Sequence, residues 1–374
     1  MNKNMTDQQN KMHLRSCIQR VCTGPEYSKN LPYDDAKAAM DYILSGNADP
    51  VQISILLVGL RMKRETQEEN KGLLQAIVDR STITTVAVND LIDIADAYNG
   101  HVRDLPVIPF LPAVLAACGL PAASHGVESV GPKFGITTNL VLKATGLSAE
   151  LSMKEAAQRI ADPAIGWAYV DQKTYCPTLH DLIPLRTTIV KRTAITTLEC
   201  LVGPLRGTKK TTLYTGFVHK AYPPVYTDLA KMVGFDGAII ARGVEGGLIP
   251  SLQQPAKVHF YEDDGEDQMF VVNATEDLGM NHKTRSTPLP KDIEIYDAPE
   301  AEDKPSFDLD AAVKATVKAG LAALNGEQSS SRDSLILAAS IALFRTGKAE
   351  SLSAGADIAR QAIDSGEALK RFNA

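Results

Sequence analysis

PYDDAKAAMDYILSGNADPVQISILLVGLRMK occupies residues 32–63 and reads as two helices joined by a tight turn. From about Asp34, the residues Ala36, Ala39, Met40, Ile43 and Leu44 recur at helical spacing, and Gly46 stops the run. Asp49 is placed to cap the next helix and Pro50 to open it, where a missing N–H costs nothing. That helix carries Ile53, Leu56, Leu57 and Leu60 and is apolar over much of its circumference, which predicts burial on a partner as well as in its own unit. Thr66 and Glu69 then form a capping box ahead of Leu73, Leu74 and Ile77. A helical domain over residues 1–85 is the expectation, with helices from about 171–200 packing on it.

Working outward, the pattern changes near Leu91 to short apolar runs alternating with helical stretches. Strands are expected at Leu91–Ala95, Ala122–His125, Ile165–Val170, Leu213–Val218 and Ala238–Ala241. Helices at Val107–Cys118, Thr137–Ala144 and Val225–Val233 lie between them. Such alternation predicts an α/β domain over 86–374, its mainly parallel sheet flanked by helices on both faces. Val258–Tyr261 and Gln268–Val272, joined by the acidic segment Glu262–Asp267, read as an added hairpin. Thr275 to Pro305 is rich in Pro, Asp and Glu and reads as loop. Helices near Leu309–Leu324, Asp333–Arg345 and Ser353–Phe372 close the chain.

The 374 residues are 44% hydrophobic and 22% charged, the balance of an ordinary globular protein and not of a disordered or fibrous one. The polar start, Met1 to Arg20, and the absence of a long apolar run make the cytoplasm the expected compartment. Five widely spaced cysteines lack a Cys-x-x-Cys pair, so no zinc site is expected and reduced thiols are. Cys176, before a proline among polar residues, keeps a claim to function. A net charge of -6 conceals an uneven distribution: residues 186–220 carry +6 and residues 261–310 carry -11. The first of these, with Arg186, Lys191, Arg192, Arg206, Lys209 and Lys210, is a candidate phosphate or nucleic-acid surface. Its bland counterpart is a solvated face, the better account of Lys209-Lys210 alone.

Ligands of open parallel sheets collect beyond the carboxyl ends of strands. Two loops hold that position here, Tyr98-Asn99-Gly100-His101 and Ser124-His125-Gly126-Val127. Asn99-Gly100 serves a plain turn as well as a ligand contact. Gly126 would let a ligand approach the backbone, and His125 would hydrogen-bond it, although a histidine at a strand end also serves simply as a packed residue.

Several stretches together resemble the anthranilate phosphoribosyltransferase-like proteins of glycosyltransferase family 3, which are related to pyrimidine nucleoside phosphorylases. They are residues 32–63, Ser124-His125-Gly126, CPTLHDLIPLR at 176–186, Gly203-Pro204-Leu205, Arg242-Gly243-Val244-Glu245-Gly246 and the region Gly347 to Gly366. The resemblance implies a small helical domain and a larger α/β domain with a cleft between them, and a homodimer through the helical domains. It also implies phosphoribosyl pyrophosphate with magnesium in the cleft, and Arg186 as the contact for the carboxylate of an aromatic acceptor.

The departures fall on the chemistry. The family's glycine-rich pyrophosphate loop reads Asp96-Ala97-Tyr98-Asn99-Gly100-His101 here, and its nearby Asn and Ser become Pro106 and Ile108. The lysine and asparagine of its Lys-His-Gly-Asn motif are Ser124 and Val127, and the two acids that hold magnesium are Leu248 and Ile249. An apolar pair cannot ligate a hard cation, so magnesium is expected only if it arrives with phosphoribosyl pyrophosphate. RTAITTLECLVGP at 192–204 resembles a divergent branch, some of whose members bind nucleic acid without sequence preference. Two functions follow. One is a divergent glycosyltransferase or phosphorylase that uses Asn99, Gly100, His125, Gly126 and Arg186, with its catalytic residue unassigned. The other is a nucleic-acid-binding homodimer using the basic segment; aromatic residues are 6% of the chain, so phosphates and not base stacking would carry the contact.

Overall fold

The computed structural model describes residues 6–24, 26–263, 265–296 and 305–374. The anticipated helices of the first domain form at Tyr33–Leu44, Pro50–Lys63 and Gln67–Asp79. Asp49 Oδ1 accepts the N–H groups of Val51 and Gln52, and Thr66 with Glu69 closes a full capping box. A fourth helix, Asp7–Val21, precedes them. Its apolar stripe of Leu14, Cys17 and Val21 is too sparse to stand out from the polar residues between, but a capping box from Thr6 and Gln9 starts it. Ile183–Ile189 and the turn at Glu199–Leu201 lie against this bundle.

Among the described residues, nine strands follow: β1 Thr84–Thr85, β2 Asp90–Ala95, β3 Ala122–Gly126, β4 Trp167–Asp171, β5 Leu205–Arg206, β6 Lys210–Gly216, β7 Gly237–Ala241, β8 Ala256–Glu262 and β9 Gln268–Val272. Seven of them build one sheet in the order β4-β3-β2-β6-β7-β8-β9, while β1 and β5 pair separately. The neighbours from β4 to β7 run parallel, and β8 and β9 join as the expected antiparallel hairpin. The fold is thus a helical domain and a larger α/β domain with a mainly parallel sheet. Strand β6 starts three residues earlier than its apolar run, because Asp90 and Leu91 pair with Lys210 and Thr211, and Asp236 accepts the Thr211 N–H at 2.7 Å.

Alternate residues of a strand face opposite sides. On β2, Leu91 and Ala95 pack into the core shared with the helical domain, while Ile92 and Ile94 pack under the closing helices. Those helices run Leu309–Leu324, Ser330–Arg345, Leu352–Asp364 and Glu367–Phe372. The last two were expected as one; Gly366, at φ 78°, caps the second in left-handed backbone and breaks the run. A short helix, Ala274–Leu278, interrupts the expected 275–305 loop, of which residues 297–304 lie outside the described set. Cys176 is fully buried with its thiol toward the Ile77 carbonyl, so the polar setting inferred for it is replaced by core packing. No helix among the described residues is long and apolar enough to cross a membrane.

Candidate functional site

The sheet order places β3 on one side of β2 and β6 on the other, so the carboxyl ends of β2 and β6 meet at a topological switch point. A cleft opens there in two connected chambers. The outer one, about 450 Å³, is walled by the loops after β2 and β7 and by Arg285. The inner one, about 160 Å³, reaches Asn99, Thr193, Thr197, His219 and Arg61 of the helical domain. Lys133, Arg192, Phe217 and Glu245 line both. Arg61 donates to the Tyr222 hydroxyl at 3.1 Å and Lys71 pairs with Asp228 at 2.8 Å, which ties the helical domain to the cleft wall.

The lining is strongly cationic. Among the described residues, Arg61, Arg103, Lys133, Arg192, Arg242 and Arg285 face a single carboxylate, that of Glu245. Among the described residues, Arg103, Arg192, Arg242 and Arg285 have no ion-pair partner within 4 Å. Desolvation at the cleft wall and the neighbouring Arg61 push the Arg192 guanidinium down, as expected of a cation held without a counter-charge. Burial, reinforced by Arg192 and opposed by Glu245, likewise depresses the Lys133 ammonium.

The loop after β2 supports this cleft from below. Gly100 has φ 72°, and a Cβ there would sit 2.6 Å from the Gly135 carbonyl carbon, so only glycine fits. His101 exchanges backbone hydrogen bonds with Ile136, and its Nε2 meets Asp96 at 2.8 Å. Burial works against protonation of His101, but the Asp96 and Glu245 carboxylates outweigh it and the pKa is raised. A group raised in the folded state contributes stability below its unfolded pKa, near 6.5, and that contribution is lost as pH climbs through the folded value. Urea unfolding between pH 6 and pH 9 should therefore show a decline that His101→Gln flattens; equal slopes in both proteins would refute it.

The sequence-nominated residues divide. Asn99 lines the inner chamber, and the Gly100 carbonyl accepts from Lys133 at 3.3 Å. His125 does not reach the cleft. Its side chain is fully buried under β3, with Nε2 3.1 Å from Asp93 and Nδ1 bonded to the Tyr98 hydroxyl, which meets the Tyr175 hydroxyl at 2.6 Å. Gly126 packs on the Tyr169 ring. Arg186, 7% exposed, is held in a two-pronged pair with Glu199, both contacts 2.7 Å. Both prongs of its guanidinium are engaged by that counter-charge.

The basic segment also disperses. Arg206 donates to the carbonyls of Val202 and Gly203 and stacks on Phe235, 3.8 Å from the ring centroid. Lys210 pairs with Asp263 at the opposite end of β6, which at about 3.3 Å per residue lies about 20 Å from the cleft. Lys191 and Lys209 are exposed outside the cleft lining. Of the six, only Arg192 joins the cleft. Its true companions, Arg61, Lys133, Arg242 and Arg285, are scattered over more than two hundred positions, and linear charge density cannot find them.

The magnesium implied by the resemblance does not fit these residues. Leu248 and Ile249 are buried apolar side chains, and Glu245 is engaged by backbone N–H groups and Lys133. Among the described residues, no three His, Cys, Asp or Glu side chains converge to hold an ion.

Comparison with known proteins agrees with this architecture. Residues 15–81 match the glycosyl transferase family, helical bundle domain. The anthranilate phosphoribosyltransferase of Sphingopyxis alaskensis is 30% identical over 349 residues, 93% of this chain and 96% of that protein. An uncharacterized protein of Aquifex aeolicus is 27% identical over 62% of this chain and 68% of its own length. The Thermus thermophilus anthranilate phosphoribosyltransferase superposes with a TM-score of 0.71 at 20% identity, covering 96% of this chain and 97% of that one. The Saccharomyces cerevisiae enzyme, solved in complex with PRPP and Mg, gives 0.71 at 14% identity over 97% and 96%. With its helical bundle, its switch-point cleft and this full-length similarity, the chain belongs to the anthranilate phosphoribosyltransferase family of glycosyl transferases.

Proposed function

We propose that the cleft binds a phosphate-bearing ligand through its arginines and Lys133 without a metal, and that any pentosyl transfer there is not anthranilate phosphoribosylation. The carrying observation is the set of cations unpaired among the described residues, Arg103, Arg192, Arg242 and Arg285, around one cavity to which those residues bring a single carboxylate. Fixed guanidinium groups supply the charge that magnesium would otherwise bring to a diphosphate. The pairing of Arg186 with Glu199, and of His125 with Asp93, supports a reading in which neither the implied acceptor contact of Arg186 nor the expected ligand contact of His125 is used. Calorimetry with inorganic pyrophosphate tests the reading. Binding of equal strength in EDTA and in magnesium is expected, and no binding, or binding only with magnesium, would overturn it.

Exposed Arg103, Arg242 and Arg285 at the cleft rim also support the second reading, contacts to nucleic-acid phosphates, at a different place from the 186–220 segment. Under it, a single-stranded oligonucleotide would displace pyrophosphate in the same titration. The domain division at 85/86 and a homodimer through the helical domain belong to the same proposal. Val51, Ile55 and Met62 stand exposed along one face of helix Pro50–Lys63, the surface such a dimer would cover.

A further inference from the structure

Among the described residues, the only carboxylate lining the cleft does not simply balance charge. Glu245 Oε1 accepts the Arg103 N–H at 2.6 Å, Oε2 accepts the Val102 N–H at 3.2 Å, and Lys133 Nζ lies 3.4 Å from Oε2. Two adjacent backbone N–H groups beside an ammonium form a seat for an anionic oxygen pair, the same donor set that holds a phosphate. Glu245 fills it with a side chain only 6% exposed, although the cleft around it remains open. To do so the residue takes φ 53°, ψ 12°, left-handed backbone that a glutamate seldom adopts. Gly243 and Gly246 lie on either side of it, and the segment 243–246 makes up a cleft wall. One carboxylate leaves Arg103, Arg192, Arg242 and Arg285 unneutralised, so the seat is taken while most of the site's charge is still unmatched.

We propose that Glu245 is a built-in competitor: its carboxylate occupies the phosphate seat of the empty cleft, and a ligand phosphate must displace it to reach the Val102 and Arg103 N–H groups. This rests on the phosphate-binding reading above and adds its regulation. A ligand with one phosphate would meet the outer arginines alone, whereas a diphosphate or longer chain reaches both the arginines and the seat. The cleft then selects for polyphosphate over monophosphate.

Calorimetry without magnesium separates the two ideas. Glu245→Gln, which keeps the shape and removes the charge, should bind inorganic pyrophosphate at least tenfold more tightly than the wild type and inorganic phosphate with a smaller gain. Glu245→Ala should do the same, and thermal unfolding checks that both fold. A latch that merely orders the loop would give weaker binding in both variants, and unchanged or weaker affinity overturns the competitor while leaving phosphate binding intact. If neither wild type nor variants bind pyrophosphate, the phosphate reading fails and the competitor with it. In the wild type, amide exchange across 244–247 should quicken on pyrophosphate addition, the reverse of ordinary ligand protection; slowing would overturn displacement.

Discussion

Replacing Arg186 with alanine should lower folding stability by about 3–5 kcal/mol, far more than a ligand-contacting arginine would cost. Glu199 is fully buried, and its two oxygens receive Arg186 at 2.7 Å each, with Gln172 Nε2 adding a third contact at 3.1 Å. Removing the guanidinium strands a carboxylate where water cannot reach it. Exchanging both partners for methionine removes the charge along with its counter-charge and should recover most of the loss, because buried ion pairs contribute little beyond an apolar pair of similar volume. Urea midpoints at constant slope measure both variants. A loss below about 1 kcal/mol for Arg186→Ala would mean that the pair is solvated, and would return Arg186 to the ligand-binding set.

The same pair shows where sequence reading reaches its limit. Helices Tyr33–Leu44 and Pro50–Lys63 were legible because their apolar spacing, Asp49 cap and Pro50 start are local signals. Strand β7 was legible because a parallel strand buried on both faces reads as an unbroken apolar run, and β2 and β3 because short apolar runs remain around Asp93 and before Ser124 and His125. The loop after β2 was also reachable, since ligands of parallel sheets collect beyond the carboxyl ends of strands, but its place at the switch point came only with the strand order. Which way a polar side chain points is a different matter. His125 and Asp93 fall on the helical-domain face of adjacent strands, so they meet each other beneath the sheet surface, and nothing in Ser124-His125-Gly126 records that pairing. Arg186 and Glu199 stand thirteen positions apart across short helices that carry too few residues for periodicity to register. The cleft cations are brought together only by tertiary structure: Arg61 from the helical domain, Lys133 after β3, Arg192 before β5, Arg242 at the end of β7 and Arg285 beyond β9.

For that reason the double exchange Arg192→Ala/Arg242→Ala should weaken pyrophosphate binding by about 100-fold while leaving stability nearly unchanged. Each guanidinium contact to a charged oxygen is worth about 1.5–3 kcal/mol, so losing two costs at least about 3 kcal/mol, or two decades in affinity. Neither arginine has an ion pair to lose among the described residues, and both are exposed, so the folded state gives up little. Removal of Arg192 also relieves the repulsion that it exerts on Lys133 and shares with Arg61. Lys209→Ala/Lys210→Ala is the matched control: the same charge is removed, but at least one of its lysines sits at the far end of β6, paired with Asp263. Calorimetry at fixed ionic strength should leave that control within about twofold of wild type, a difference of about 0.4 kcal/mol. If the lysine pair weakens binding as much as the arginine pair, the attraction is a long-range field and not a site, and raising salt to 1 M, where the screening length falls to about 3 Å, would then abolish it in every variant alike.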